Sequence, residues 1–119
     1  MDELIEFRKS VEAIGGRTAD ADGIVHEIAN ALDVSLLPPL FSQLEVESNR
    51  LGWSRDCDYA AVALQAASLS VASPVIRKAM LDFALARAEW CASCATAGGE
   101  GIARSVHVQA LRDLLKNGV

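Results

Sequence analysis

The sequence has 119 residues, of which 51% are apolar and 23% are charged. This length fits one domain with a single core, and the composition excludes a disordered chain. Residues 1–60 carry twelve acids and five bases (net −7), whereas residues 61–119 carry four acids and six bases (net +2), which together give the net charge of −5. This acidic balance argues against nucleic-acid binding, because phosphate contacts need clustered lysine and arginine.

The cysteine count and the composition predict a compartment and a source. Three cysteines, an odd number, exclude a complete internal disulfide framework. The stretch Met1–Glu6 has neither a basic region nor a long apolar run, so we expect no signal peptide and a reducing cytoplasm. Eight arginines against three lysines, together with abundant alanine, are typical of a GC-rich bacterial source.

Hydrophobic spacing predicts an all-α fold. The six predicted helices span residues 2–14, 20–33, 39–51, 55–72, 74–97 and 102–116. Gly15 ends the first helix, Pro38 breaks the chain before the third, and Ser54 is expected to cap the fourth. Ser73 and Pro74 favour a sharp start of the fifth helix, and residues 98–101 are predicted as a loop.

The apolar residues of these segments recur at helical spacing. The expected buried faces are Leu4, Phe7, Val11 and Ile14; Ile24, Val25, Ile28 and Leu32; Leu40, Phe41, Leu44 and Leu51; Ile76, Met80, Phe83, Trp90 and Cys94; and, on the sixth helix, Val106, Ala110 and Leu114 beside Val108, Leu111 and Leu115. We also expect Lys78 and Asp82 to pair on the solvent side of the fifth helix.

The fourth segment is apolar on every side from Ala60 onward, which is typical of a helix at the centre of a bundle. The uncharged stretch 59–76 approaches the length of a membrane span, but Gln65, Ser68 and Pro74 favour a buried helix of a soluble protein. We therefore predict a single helical domain, residues 1–119, built as a compact bundle of five or six short-to-medium helices. A homodimer interface is an alternative way to cover the fourth helix.

One spacing resembles that of zinc ligands. Cys91, Cys94 and His107 form a C-x2-C-x12-H pattern, and Cys57 or His26 would supply a fourth ligand. Against zinc, both cysteines fall inside a predicted helix rather than in a turn where thiols converge. The competing interpretation is that these cysteines fill small spaces in the core. No other cofactor is predicted.

Residues 24–35 resemble the first helix and turn of a helix-turn-helix DNA-binding motif. The residues that carry the resemblance are Ile28, Ala29, Leu32 and Val34. The pattern departs from the motif because Asp33 replaces the usual turn glycine. Pro38 and Pro39 fall where the recognition helix would run, and the helix after them is acidic.

Patterns of catalytic residues are weak. There is no H-E-x-x-H and no Glu-x-x-His pair, and His26 and Glu27 are sequence neighbours that point apart on a helix. Asp56 and Asp58 flank Cys57 near the predicted start of the fourth helix, where the helix dipole favours acidic residues in any case. We therefore expect a protein that is not an enzyme.

The remaining residues suggest binding. Trp53 lies at a helix junction, either as an interface anchor or as a hydrophobic staple over the next helix. Glu45, Glu47 and Asp56 contribute to the acidic half of the chain. The sequence thus favours a non-enzymatic protein–protein interaction module of an acidic inhibitor, immunity-like or accessory type. The alternative is a small zinc-binding or DNA-associated regulator.

Overall fold

A computed structural model describes residues 2–13, 15–52, 58–94 and 98–118. These ranges hold six α-helices and no β-strand, which confirms the predicted all-α bundle. The helices are α1 (Asp2–Ala13), α2 (Ala19–Ala29), α3 (Leu37–Leu51), α4 (Tyr59–Ser68), α5 (Pro74–Ser93) and α6 (Gly98–Gly118). A short 3-10 helix, Val34–Leu36, precedes α3. None of these helices combines the length and the apolar character needed to cross a bilayer.

Side chains that accept backbone hydrogen bonds set the starts of α4 and α5. Asp58 accepts a hydrogen bond from the N–H of Ala61, and Ser73 accepts one from the N–H of Ile76. Pro74 follows Ser73 as the first residue of α5, where its missing N–H costs nothing. Gly52 ends α3 at a φ of 75°, in the left-handed region that glycine tolerates best.

The core is centred on α4, which packs against α1, α2, α3 and α5. All six residues from Tyr59 to Leu64 are buried, so the prediction of a central apolar helix is confirmed. Helix α6 packs mainly against α5 and contributes the buried side chains of Val108 and Leu111. Small alanines on α4 allow the neighbouring helices to approach closely.

The second helix is shorter than predicted. It ends at Ala29 rather than at residue 33, where the Asn30 side chain donates to the carbonyl of His26 and the next backbone N–H, that of Ala31, bonds three residues back to Ile28 instead of continuing the α-helical pattern. Leu32, expected on the buried face, is instead 97% exposed. Leu37 is the next fully buried apolar side chain along the chain.

Two further boundaries differ from the prediction. Helix α4 ends at Ser68 rather than at residue 72, and a turn of successive backbone hydrogen bonds follows it. Residues 98–101, predicted as a loop, form the first turn of α6. Glycine disfavours a helix by about 1 kcal/mol per residue, but packing of the long α6 on α5 overrides that local preference.

The buried face of α5 also differs from the predicted stripe. Ile76 and Met80 are buried as expected, but Trp90 is largely exposed and Cys94 only partly buried. In the second half of α5 the buried residues are instead Ala84, Arg87, Ala88 and Cys91, three of which are small. On α6, Val106 is likewise exposed, so the row containing Val108 and Leu111 is the buried one.

Candidate functional site

The first polar cluster lies at the N-terminus of α4 and is centred on Asp58. Its carboxylate is fully buried and accepts hydrogen bonds from Arg87 of α5, at 2.7 Å from Nη2 and 3.2 Å from Nε. The Ser48 hydroxyl of α3 donates to the same carboxylate at 3.2 Å. Arg87 also donates to Asn49 at 2.8 Å, and its guanidinium lies 4.7 Å from the centre of the Trp90 ring. The buried carboxylate of Asp58 is thereby paired with a guanidinium that donates two hydrogen bonds to it.

The second polar cluster begins one residue later, at Tyr59. The Tyr59 hydroxyl donates to Asp22 of α2 through a short hydrogen bond and accepts one from Arg8 Nε of α1 at 3.0 Å. Arg8 also donates to both oxygens of Asp22, and the Thr18 hydroxyl donates to Asp22 at 2.9 Å. Burial, together with the hydrogen bond to Asp22, raises the pKa of Tyr59 from 10.0 to about 12.

These two consecutive residues connect the start of α4 to four other helices. Asp58 reaches α3 and α5, and Tyr59 reaches α1 and α2. Both oxygens of each carboxylate, Asp58 and Asp22, accept hydrogen bonds from within the protein. The hydrogen bonds of the two clusters therefore connect α4 to the helices around it, and they occupy both carboxylates.

The predicted zinc ligands occupy different environments. Cys91 is buried in α5, and Cys94 lies partly exposed at its C-terminus. His107 of α6 pairs through Nε2 with Gln65 of α4 at 2.8 Å. In the described part of the chain, no three His, Cys, Asp or Glu side chains form a group that could hold a metal ion. Cys57 lies outside that part, so the four-ligand zinc site stays a prediction.

The residues predicted to bind a partner divide into two sets. Trp53 and Asp56 lie outside the described residues. Glu45 is exposed on α3, next to the exposed Val46. Glu47 is partly buried and pairs with Arg50, whose Nη2 also lies 3.7 Å from Asp20 of α2.

A third feature escaped the sequence analysis. Residues 30–36, which we name the α2–α3 connector, expose the side chains of Leu32, Val34 and Leu36. A sequence pattern does mark them, because they alternate with Asp33 and Ser35 between two helices. We assigned Leu32 to a helix face instead, since periodicity alone does not show where α2 ends.

Helix α6 has an exposed apolar face of its own. Ile102 and Val106 point to solvent one turn apart, and a shallow depression over this face is lined by Gly101, Ser105 and Gln109 as well. All of the lining residues belong to one helix, so the depression is open. Arg112 and Lys116 on the same helix make its surroundings less acidic than those of α2 and α3.

Comparison with known proteins adds no relative: no family profile, no curated protein and no solved structure matches this sequence.

Proposed function

We propose that this protein is a non-enzymatic interaction module whose acidic surface, formed by α2 and α3, binds a protein with a basic surface. The observation that carries the proposal is the charge of residues 15–52, which contain six acids and two bases (net −4, or −3 when Arg8 of α1, the partner of Asp22, is included). Exposed acids on this surface include Asp20, Glu27, Asp33 and Glu45. Such a surface attracts basic partners over about a Debye length and accelerates their association.

The balance of charge within the surface strengthens the argument. Of its two bases, Arg50 is bonded to Glu47, and that hydrogen bond raises the pKa of Arg50. The arginine therefore neutralises an acid of the same surface rather than attracting an anionic ligand. Phosphate-rich ligands are repelled by this arrangement, which is why we favour a protein partner over DNA.

The setting that we propose is the cytoplasm of a bacterium, where an acidic inhibitor, immunity-like or accessory protein would act. This setting rests on the arginine-to-lysine ratio and on the odd number of cysteines.

The test is a comparison of two double variants with equal changes of charge. Glu27→Lys with Glu45→Lys brings the net charge of residues 15–52 from −4 to 0, and Glu89→Lys with Asp113→Lys changes the net charge of the chain by the same amount on α5 and α6. Pull-downs from a lysate of the source organism at low salt should recover a basic protein with the wild type and the second variant. The first variant should lose it.

Recovery of the same proteins by all three baits would contradict the proposal, as would loss of binding in the α5–α6 variant alone. Raising the salt concentration provides an independent check. An electrostatically guided complex should weaken steadily with salt, mainly through slower association.

A further inference from the structure

The α2–α3 connector has three apolar side chains that are exposed to solvent instead of packing into the core. Leu32 is 97% exposed, Leu36 50% and Val34 43%, all within five residues. Single exposed apolar residues are ordinary, but a contiguous group of them marks an interaction site. The two prolines that follow, Pro38 and Pro39, are exposed as well and extend this apolar character into the start of α3.

The backbone of the connector is held in place. The Asp33 carboxylate accepts a hydrogen bond from the N–H of Ser35 at 3.2 Å, and the Asp33 carbonyl accepts one from the N–H of Leu36 at 3.1 Å. Immediately afterwards, Leu37 is buried in the core. Val34 and Leu36 are therefore presented on an ordered turn, which lowers the entropic cost of binding, and Leu32 lies directly before that turn.

The surroundings of the connector are acidic. Asp33 lies between Leu32 and Val34, and the backbone hydrogen bond from Ser35 lowers its pKa, which keeps it charged. Glu27 lies on the preceding turn of α2 and is exposed. The exposed apolar side chains of the connector thus lie beside the negatively charged Asp33 and Glu27. Such a surface complements a ligand in which an apolar side chain is flanked by cationic residues.

We infer that the connector docks a protein segment with an exposed apolar or aromatic side chain flanked by lysine or arginine. This inference rests on the proposed function and names the chemistry of the partner. A second copy of the chain is disfavoured, because it would bring two acidic surfaces together.

The experiment selects random phage-displayed peptides on the immobilised full chain and measures the affinity of the synthetic winners. We expect winners that combine an apolar or aromatic residue with lysine or arginine. Leu32→Ser should weaken them at least tenfold, because hot-spot side chains dominate such contacts. The matched control is Ile102→Ser, which changes an apolar residue of α6 that is 71% exposed, and it should change affinity less than twofold.

The charge variant Glu27→Lys with Glu45→Lys separates the two claims. Weaker binding in both this variant and Leu32→Ser supports both. If only the charge variant loses affinity for the peptides, the connector is overturned as the docking site, but the proposed function is not. Loss in Leu32→Ser alone, or winners without basic residues, overturns the basic partner and with it the proposed function.

The remaining outcomes also decide. If the selection yields no binding peptide, or if the selected peptides bind every variant with unchanged affinity, both claims are overturned. Loss in Ile102→Ser moves the docking site to α6 and overturns the connector. A wild-type dimer that Leu32→Ser converts to a monomer, as measured by light scattering, shows that the occupant is a second copy and overturns the inference.

Discussion

Two arginine–carboxylate pairs lie at the start of α4, and they differ in their access to water. In the Asp58–Arg87 pair, the side chains are 0% and 8% exposed, whereas in the Asp22–Arg8 pair they are 29% and 38% exposed. Water screens the second pair and can replace its hydrogen bonds, but it reaches the first pair poorly. Similar chemistry should therefore have unequal consequences when one partner is removed.

The largest effect is expected when the buried pair is broken. Arg87→Met keeps an aliphatic stem of similar length but leaves the Asp58 carboxylate buried without its cation. We expect a loss of about 3–5 kcal/mol in the free energy of unfolding, measured by urea titration at pH 7. A loss under about 1 kcal/mol would mean that the pair behaves like an exposed one, and the comparison would fail.

The next effect comes from removing both charges together. In the double variant Asp58→Ser with Arg87→Met, neither charge of the pair remains, and serine still caps α4. We expect this protein to be more stable than the Arg87→Met variant, with a loss of about 1–2 kcal/mol from the wild type. The same urea titrations measure the coupling energy between Asp58 and Arg87. A double variant that is less stable than Arg87→Met would contradict this expectation.

The half-exposed cluster should respond to pH through Tyr59. Tyr59→Phe removes the hydroxyl shared by Asp22 and Arg8, and at pH 8 we expect a loss of about 1–2 kcal/mol. Because the pKa of Tyr59 is raised from 10.0 to about 12 in the folded protein, its stabilisation is complete below pH 10. The stability that this proton confers is then lost as the pH rises toward 12.

The difference in unfolding free energy between the wild type and Tyr59→Phe should accordingly narrow between pH 10 and pH 12. Urea titrations at pH 8, 10 and 11 measure it, and the variant corrects for lysines and other groups that titrate in both proteins. A constant or widening difference would show that burial does not hold the proton on Tyr59.

The smallest effect is expected for an ion pair that is fully in water. Lys78 and Asp82 lie 2.7 Å apart one turn along α5, with both side chains more than half exposed. Lys78→Ala should change the free energy of unfolding by less than about 0.5 kcal/mol. A larger loss, persisting in 1 M salt, would indicate that exposure is a poor guide to the strength of ion pairs in this protein.

Local patterns in the sequence were sufficient for much of the fold. The buried residues Leu4, Phe7 and Val11 of α1 follow from their spacing, and the start of α5 follows from Ser73 and Pro74. These features depend on contacts within one turn of the chain. The pairing of Lys78 with Asp82 was predictable for the same reason, and the structure confirms it.

The two polar clusters at the start of α4 were not predicted, although the sequence contains a pattern that marks part of the first cluster. Arg87 falls in the stripe that joins Met80, Phe83 and Trp90 at steps of three and four residues, and a charge in an apolar stripe indicates a buried partner. Nothing local identifies that partner as Asp58, which lies 29 residues earlier in the chain.

The sequence alone determined an acidic helical chain with an alanine-rich helix at its centre, because periodicity, capping and composition act over a few residues. Tertiary structure alone decided which charges are buried, where α2 stops, and that Leu32 faces water while Leu37 enters the core. The physical reason is that burial and ion pairing are set by distant segments competing for the same space.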